Sequence, residues 1–328
     1  MPLPHRILVL EFISAGGMAA DPMPASAHRA LLDQGRAMRD ALAADLRAID
    51  GVTITCATSP AGESPPLGTL ALALAAGEAP AAFLRRVAAD HDAVWVVAPE
   101  ADGILATLCE AAGATPWVGC RLEAIRLTAS KTATRCHLRR HGIAVPQEAA
   151  EDDVAGRWTV KPDDGAGAIA TERFDSLATA QAAAEKRRAT GEAVTLERWV
   201  DGTPLSLSLL ATPSSVEILA VNRQDVSVRA DGTVCYHGVH YLRAPSAGAD
   251  DVLTRLAAQI HAAVPGLAGY IGVDLVVDGA GLATVIEINP RLTCAYIGLS
   301  DRLGRPLAAE ILAQVTTPTR EARTLAPA

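Results

Sequence analysis

Two carboxylates and one amide near the C-terminal end of the sequence have the types and spacing of a hard-cation site. Asp274 lies in an apolar run at 270–277, Glu287 and Asn289 lie on the run at 283–289, and Asp278-Gly-Ala-Gly281 between them reads as a turn. In extended chain residues i and i+2 project from one face, so Glu287 and Asn289 point together, and a short hairpin brings Asp274 beside them. Three side-chain oxygen donors suit Mg²⁺, which also takes phosphate oxygens and waters. The bland alternative is a solvated strand face. Val285, Ile286 and Ile288 are apolar, however, and carboxylates buried among them need a cation.

Two lysines add positive charge. Lys131 follows Thr128-Ala-Ser130 near the start of a helix, and Lys161 ends an apolar strand just before Pro162-Asp-Asp-Gly-Ala-Gly-Ala168. A lysine beside such a loop can meet phosphate oxygens while the loop's backbone N–H groups, here around Gly165 and Gly167, cradle them. This is not a Walker A loop, because G-x-x-x-x-G-K-[ST] occurs nowhere in the chain. Taken alone, either lysine reads as a surface charge, and Glu197 in Leu196-Glu-Arg-Trp-Val-Asp-Gly202 as a hairpin-edge carboxylate.

The elements that must position these groups fall into two rhythms. Over about the first 120 residues, short apolar runs at 7–12, 52–56 and 94–97 alternate with helical patterns at 26–49 and 105–112, which predicts a doubly wound α/β unit. Where a dinucleotide-binding fold would carry G-x-G-x-x-G after its first strand, the chain reads Ser14-Ala-Gly-Gly-Met-Ala, so a nicotinamide cofactor is not expected. Beyond residue 130 the pattern is α+β: a basic helix at 130–142, strands at 158–161 and 194–200, a charged helix at 176–188, and successive strands from 205 to 238 with Asp231-Gly232 as a hairpin turn. A helix at 250–263 then precedes the hairpin that carries Asp274 and Glu287.

Composition limits the function classes. Of 328 residues 50% are hydrophobic and 20% charged, ample for a core, and the net charge is −8 with no Lys/Arg run to bind a nucleic acid. Aromatics at 3% are too few for base-stacking platforms. No signal peptide and no membrane span is expected, since Glu11 interrupts the first apolar run and the Ala/Leu-rich stretch at 69–76 is too short. Six scattered cysteines without a C-x-x-C pair read as reduced, mostly buried thiols, and the expected compartment is the cytoplasm.

Taken together, these residues resemble the ATP-grasp superfamily over nearly the whole chain. The resemblance implies an α/β pre-ATP-grasp domain (1–122) followed by an α+β ATP-grasp fold, made of a small subdomain with the phosphate-binding lysines and glycine loop (123–200) and a large antiparallel subdomain with the metal site (201–328). Ser130-Lys131-Thr-Ala-Thr matches the first phosphate-binding lysine, and Val160-Lys161-Pro162 with Gly165-Ala-Gly167 the second lysine and mobile loop. Glu197 with the backbone of Arg198, Trp199 and Val200 matches the adenine-binding hinge. Asp274, Glu287 and Asn289 match the metal ligands, and Arg291 the basic residue at the reacting phosphate or acyl group, so Arg291 and Lys161 are the implied catalytic residues. The implied cofactors are ATP and Mg²⁺, with Mn²⁺ as a substitute. Two departures stand out: the family's ribose-binding acid is replaced by Pro204, and the glycine loop is preceded by Asp163-Asp164, an odd neighbour for a triphosphate.

A narrower resemblance rests on Val9-Leu-Glu-Phe-Ile-Ser-Ala-Gly-Gly17, Ala220-Val-Asn-Arg-Gln224 and Cys235-Tyr-His-Gly238, which are similar to the tyramine–glutamate ligase branch of methanofuran and methylofuran biosynthesis. It implies an amide-forming ligase that activates glutamate and joins it to the amine of tyrosine or tyramine. Rivals are another dipeptide ligase, an amine carboxylase, or a non-catalytic ATP-binding protein. For the small-molecule substrates the candidate contacts are Glu11, Ser14, Gly16 and Gly17 at the end of the first strand, with Arg223, Gln224, His237 and Arg243. Asn222 and Gln224 alternate with Arg223, so only one set faces the site. Cys235, His237 and His240 invite a zinc reading but lack a fourth ligand in register. No nucleic-acid or membrane partner is expected, and the resemblance admits a homodimer.

Overall fold

The computed structural model describes residues 5–18, 25–59, 65–149, 156–165, 167–243 and 252–315. The first unit alternates β1 (Arg6–Glu11), α1 (Ala25–Arg47), β2 (Thr53–Thr58), β3 (Leu70–Ala73), α2 (Pro80–Val87), β4 (Ala93–Val97), α3 (Ile104–Ala111), β5 (Trp117–Val118) and α4 (Leu122–Ala129). Its strands form one parallel sheet in the order β3-β2-β1-β4-β5. Every residue of Ile7–Leu10 and of β4 is buried, as expected where helices cover both faces of a parallel sheet. The chain leaves β1 towards β2 on one side and later returns to β4 on the other. The carboxyl ends of β1 and β4 therefore flank a topological switch point, where open α/β sheets place ligands.

Next come α5 (Lys131–Arg140), β6 (Trp158–Pro162), β7 (Glu172–Phe174), α6 (Leu177–Arg188) and β8 (Val194–Arg198), whose strands pair antiparallel as β7-β6-β8. Trp158, Val160, Leu177, Ala180 and Ala184 give this sheet an apolar core of its own. The last unit holds β9 (Thr203–Ala211), β10 (Val216–Val228), β11 (Val234–Arg243), α7 (Val252–Ala263), β12 (Gly269–Val277), β13 (Ala283–Asn289), α8 (Leu299–Leu303) and α9 (Leu307–Val315), with the antiparallel order β11-β10-β9-β12-β13. Its core is continuous with that of the first sheet: Leu8, Leu10 and Val96 share one cluster with Leu207, Ile271 and Val273, and Ile7 and Trp95 share another with Leu210 and Tyr270. The two larger sheets thus pack as one block, and the small sheet stands on separate packing.

Several elements escaped the sequence reading. The Ala/Leu-rich stretch at 69–76 contains the edge strand β3, and Pro80 opens α2 at its first turn, where a missing N–H costs nothing. Helix α4 runs directly into α5, with Ser130 ending one and capping the other: its Oγ accepts from Ala133 N at 3.0 Å. The expected strand at 194–200 stops at Arg198. Residues 250 and 251 of the expected helix, and Ala166 of the glycine loop, lie outside the described residues.

Candidate functional site

A cleft of about 720 Å³ is lined from all three sheets. The hairpin of β12 and β13 pairs Asp274 with Glu287 and Gly272 with Asn289. A register shift after Asp274 sets Leu275 opposite Val285, so Ile286 is the extra residue of a β-bulge and joins Glu287 and Asn289 in the cleft wall. Asn289 Nδ2 donates to Asp274 Oδ2 at 3.3 Å, and Ser206 and Gln224 also hydrogen-bond to this carboxylate. Burial, reinforced by the neighbouring Glu287 carboxylate, raises Asp274 to about 6. Two acids and an amide side chain therefore meet in a place that favours a cation, and the ammonium of Lys131 stands 3.1 Å from Glu287 Oε1. The donor set, oxygen only and doubly acidic, fits Mg²⁺.

Lys131 Nζ also donates to the carbonyl of Gly165 in the glycine loop. Lys161, buried at the end of β6, lies 2.5 Å from Glu197 Oε1, and Arg135 NH1 reaches Glu197 Oε2 at 3.2 Å. Glu197 is thus held between two cations, one of which the sequence reading missed: Arg135 sits on α5 with no local signal, and only the tertiary structure brings its side chain to β8. At the hinge, Arg198 N donates to Gln147 O at 2.8 Å and Trp199 N to Arg157 O at 2.9 Å. Those two backbone donors are engaged, and Val200 lines the cleft beside them.

Arg291, just past β13, donates from NH2 to Glu100 Oε2 at 2.9 Å. Glu100 follows β4 in Ala98-Pro-Glu100 and is buried. Its place after the carboxyl end of a central strand was a usable signal that the sequence reading passed over.

Beside β4 in the cleft wall, Glu11 closes β1 and is 1% exposed. Its Oε2 accepts from Ser14 N at 2.7 Å and its Oε1 from Ile13 N at 3.1 Å, while burial outweighs these bonds and raises its pKa. The carboxylate rests against Gly35 of α1, where an added Cβ would come within 2.5 Å of Glu11 Oε2. Gly17 lines the cleft here with Phe12, Met18, Leu31 and Met38. Ser14 and Gly16 are not part of the lining. Ser14 is buried and returns its hydroxyl to Glu11 O at 3.3 Å, and Gly16 packs on Ser59.

Three expected substrate contacts lie elsewhere. From residue 222 onward β10 alternates, so Gln224, Val226 and Val228 line the cleft while Arg223 is exposed on the other face. The alternating Val226 and Val228 were the legible signal for this parity. On β11 the register shift opposite Asp225 and Val226 leaves His237 in a bulge, exposed and sharing a 2.7 Å hydrogen bond with Ser227 Oγ, while Tyr236 and Val239 face the cleft. Arg243, at the far end of β11, is outside the lining. No cluster of three His, Cys, Asp or Glu able to hold a metal occurs among the described residues, so Cys235, His237 and His240 do not form the zinc set. No helix among the described residues is long and apolar enough to cross a membrane.

Comparisons with known proteins agree with this architecture. The profile of the pre ATP-grasp 3 domain matches residues 52–125, and that of the ATP-grasp domain matches residues 128–295. A curated relative, the tyramine–L-glutamate ligase of Methanocaldococcus jannaschii, is 28% identical over 225 residues, which is 67% of this chain and 61% of the relative. The chain therefore spans about three-fifths of the length of that relative. Among solved structures, an ATP-grasp superfamily protein from Archaeoglobus fulgidus superposes with a TM-score of 0.69 at 23% identity, covering 94% of this chain and 88% of the other. The L-amino acid ligase of Bacillus licheniformis gives 0.68 at 16% identity, covering 96% and 75%.

Proposed function

The chain belongs to the ATP-grasp family, and from that premise we propose that it is an ATP-dependent carboxylate–amine ligase acting through an acyl phosphate. We further propose glutamate as the activated acid and tyrosine or tyramine as the amine, in methylofuran-type cofactor biosynthesis. The observation that carries the reading is the convergence of Lys131, Lys161, Glu197, Asp274, Glu287, Asn289 and Arg291 on one cleft that continues to Glu11 at the switch point of the first sheet. In this reading, divisions at 122 and 200 separate a unit that supplies the acceptor end from the two that enclose the nucleotide.

A carboxylate and an amine do not condense in neutral water, so the acid must first be activated. Lys131 and Lys161 balance the charge of the triphosphate, and Glu197 with Val200 receives the adenine. Asp274, Glu287 and Asn289 hold Mg²⁺, which when bound draws negative charge off the phosphates. Arg291, kept in place by Glu100, faces the carboxylate as it attacks the terminal phosphorus and ADP leaves. The amine, once its ammonium has given up a proton to solvent, attacks the acyl carbon; phosphate departs and the nitrogen releases a second proton, with the oxyanion steadied by the same guanidinium. Glu11, a buried carboxylate framed by Phe12, Met18, Leu31 and Met38, suits an ammonium carried on an apolar body. Gln224 takes the polar role that Arg223 cannot reach.

The test is ADP release with Mg²⁺-ATP and glutamate, with tyrosine, tyramine and other amines added singly and products weighed by mass spectrometry. A glutamyl–tyrosine or glutamyl–tyramine product is expected. ADP release that no amine stimulates would overturn the ligase reading. Lys161→Ala and Glu287→Ala are each expected to cut turnover by about 10²-fold or more, the scale of losing one preorganised charge contact.

A further inference from the structure

The pair Asp163-Asp164, an odd neighbour for a triphosphate, is not part of the cleft lining, and both carboxylates are taken up by donors of the protein itself. Asp164 Oδ2 accepts from the backbone N of Asp102 at 2.8 Å, in the loop that follows β4. Asp163 reaches back to the start of α5. Its Oδ2 accepts from Ser130 Oγ at 2.5 Å, and its Oδ1 from Thr132 N at 2.9 Å and Thr195 Oγ1 at 2.6 Å. Its own carbonyl accepts from Lys131 N at 2.8 Å, and its N–H donates to Ala193 O at 3.0 Å.

One residue thus joins three segments: the first turn of α5, the end of β6 two residues past Lys161, and the start of β8. The first donors of α5 are all engaged, Lys131 N and Thr132 N on Asp163 and Ala133 N on Ser130 Oγ. The end of that helix therefore has no free N–H in its first three residues to offer an anion, and Lys131 must act through its side chain. From this helix start the side chain reaches Glu287 and Gly165.

We propose that Asp163 is a positioning residue: it clamps the start of α5 to the end of β6 so that the ammonium groups of Lys131 and Lys161 meet one triphosphate together. The proposal rests on the nucleotide site put forward above. A plain capping role predicts lost stability with no particular link to Lys131, whereas a positioning role predicts that Asp163 matters to nucleotide only while Lys131 is present.

A double-mutant cycle separates the two. Mg²⁺-ATP affinity is measured by calorimetry for the unaltered protein, Asp163→Ala, Lys131→Ala and the double variant, with melting temperatures alongside. Asp163→Ala is expected to weaken binding about ten-fold, within the range of couplings inside one hydrogen-bond network, yet less than about two-fold further when Lys131 is already alanine. Asp163→Asn, which keeps the outline and one acceptor, is expected to fall between. Equal losses in both backgrounds, or unchanged affinity in Asp163→Ala, would overturn the proposal and leave the nucleotide site standing. Failure of the unaltered protein to bind Mg²⁺-ATP would overturn the nucleotide site itself, and this proposal with it.

Discussion

Replacing Glu100 by alanine removes the carboxylate that faces Arg291 across the seam between the first sheet and the β12–β13 hairpin. The two residues are 191 positions apart in sequence, and their side chains are 5% and 12% exposed. Without Glu100, the guanidinium keeps one bond, from NH1 to Leu292 O at 3.2 Å. Stranding one charge of a buried pair costs about 3–5 kcal/mol. Arg291 borders the cleft, where water can reach it, so the low end of about 3 kcal/mol applies. With a urea dependence of about 3 kcal/mol per molar, the unfolding midpoint should fall by about 1 M. Far-UV circular dichroism and tryptophan fluorescence should be followed together, because coincident transitions are what license a single free energy. The double variant Glu100→Leu/Arg291→Met removes both desolvated charges and should recover most of the loss in stability while remaining inactive. A shift below about 0.3 M for Glu100→Ala, or a double variant no more stable than the single one, would refute the charge argument.

Gly35→Ala should destabilise by about 1–3 kcal/mol, despite the better helix propensity of alanine, because the new Cβ meets the Glu11 carboxylate; in a Glu11→Ala background the same change should be neutral or stabilising in a thermal melt. Asp163 is held at about 2: partial burial works against its charge, but hydrogen bonds from Ser130, Thr132 and Thr195 outweigh that. Its folded pKa lies below its unfolded one, so its contribution, about 1 kcal/mol after discounting for solvent screening, is present above pH 4 and lost as pH falls towards 2. The gap in unfolding free energy between the unaltered protein and Asp163→Asn should accordingly be constant from pH 7 to 5 and narrow below pH 4. Arg223→Ala should leave the KM for either substrate within about two-fold, since surface changes away from a site are near neutral, whereas Gln224→Ala, which removes a hydrogen bond to Asp274, should raise it or lower kcat. Steady-state kinetics on both variants checks this, and the opposite ranking would overturn the placement of Gln224 rather than Arg223 at the substrate.

Much of this molecule was legible in local pattern. The buried run of β1, the α/β rhythm of the first unit, the glycine loop after Lys161, and Glu287 and Asn289 on one strand face follow from periodicities of two and 3.6 residues, which the chain writes into a few consecutive positions. Even the parity of β10 was there, in Val226 and Val228. What only the tertiary structure decided is which of these faces meet. The bulge at Ile286, the bulge that turns His237 outward, the meeting of Arg135 with Glu197 and of Glu100 with Arg291, and the return of Asp163 to the start of α5 all depend on strand register or on contacts between distant segments. Register reverses with a one-residue slip, and a pairing across 191 positions leaves no trace in any local window, so burial and packing of the whole chain had to settle them.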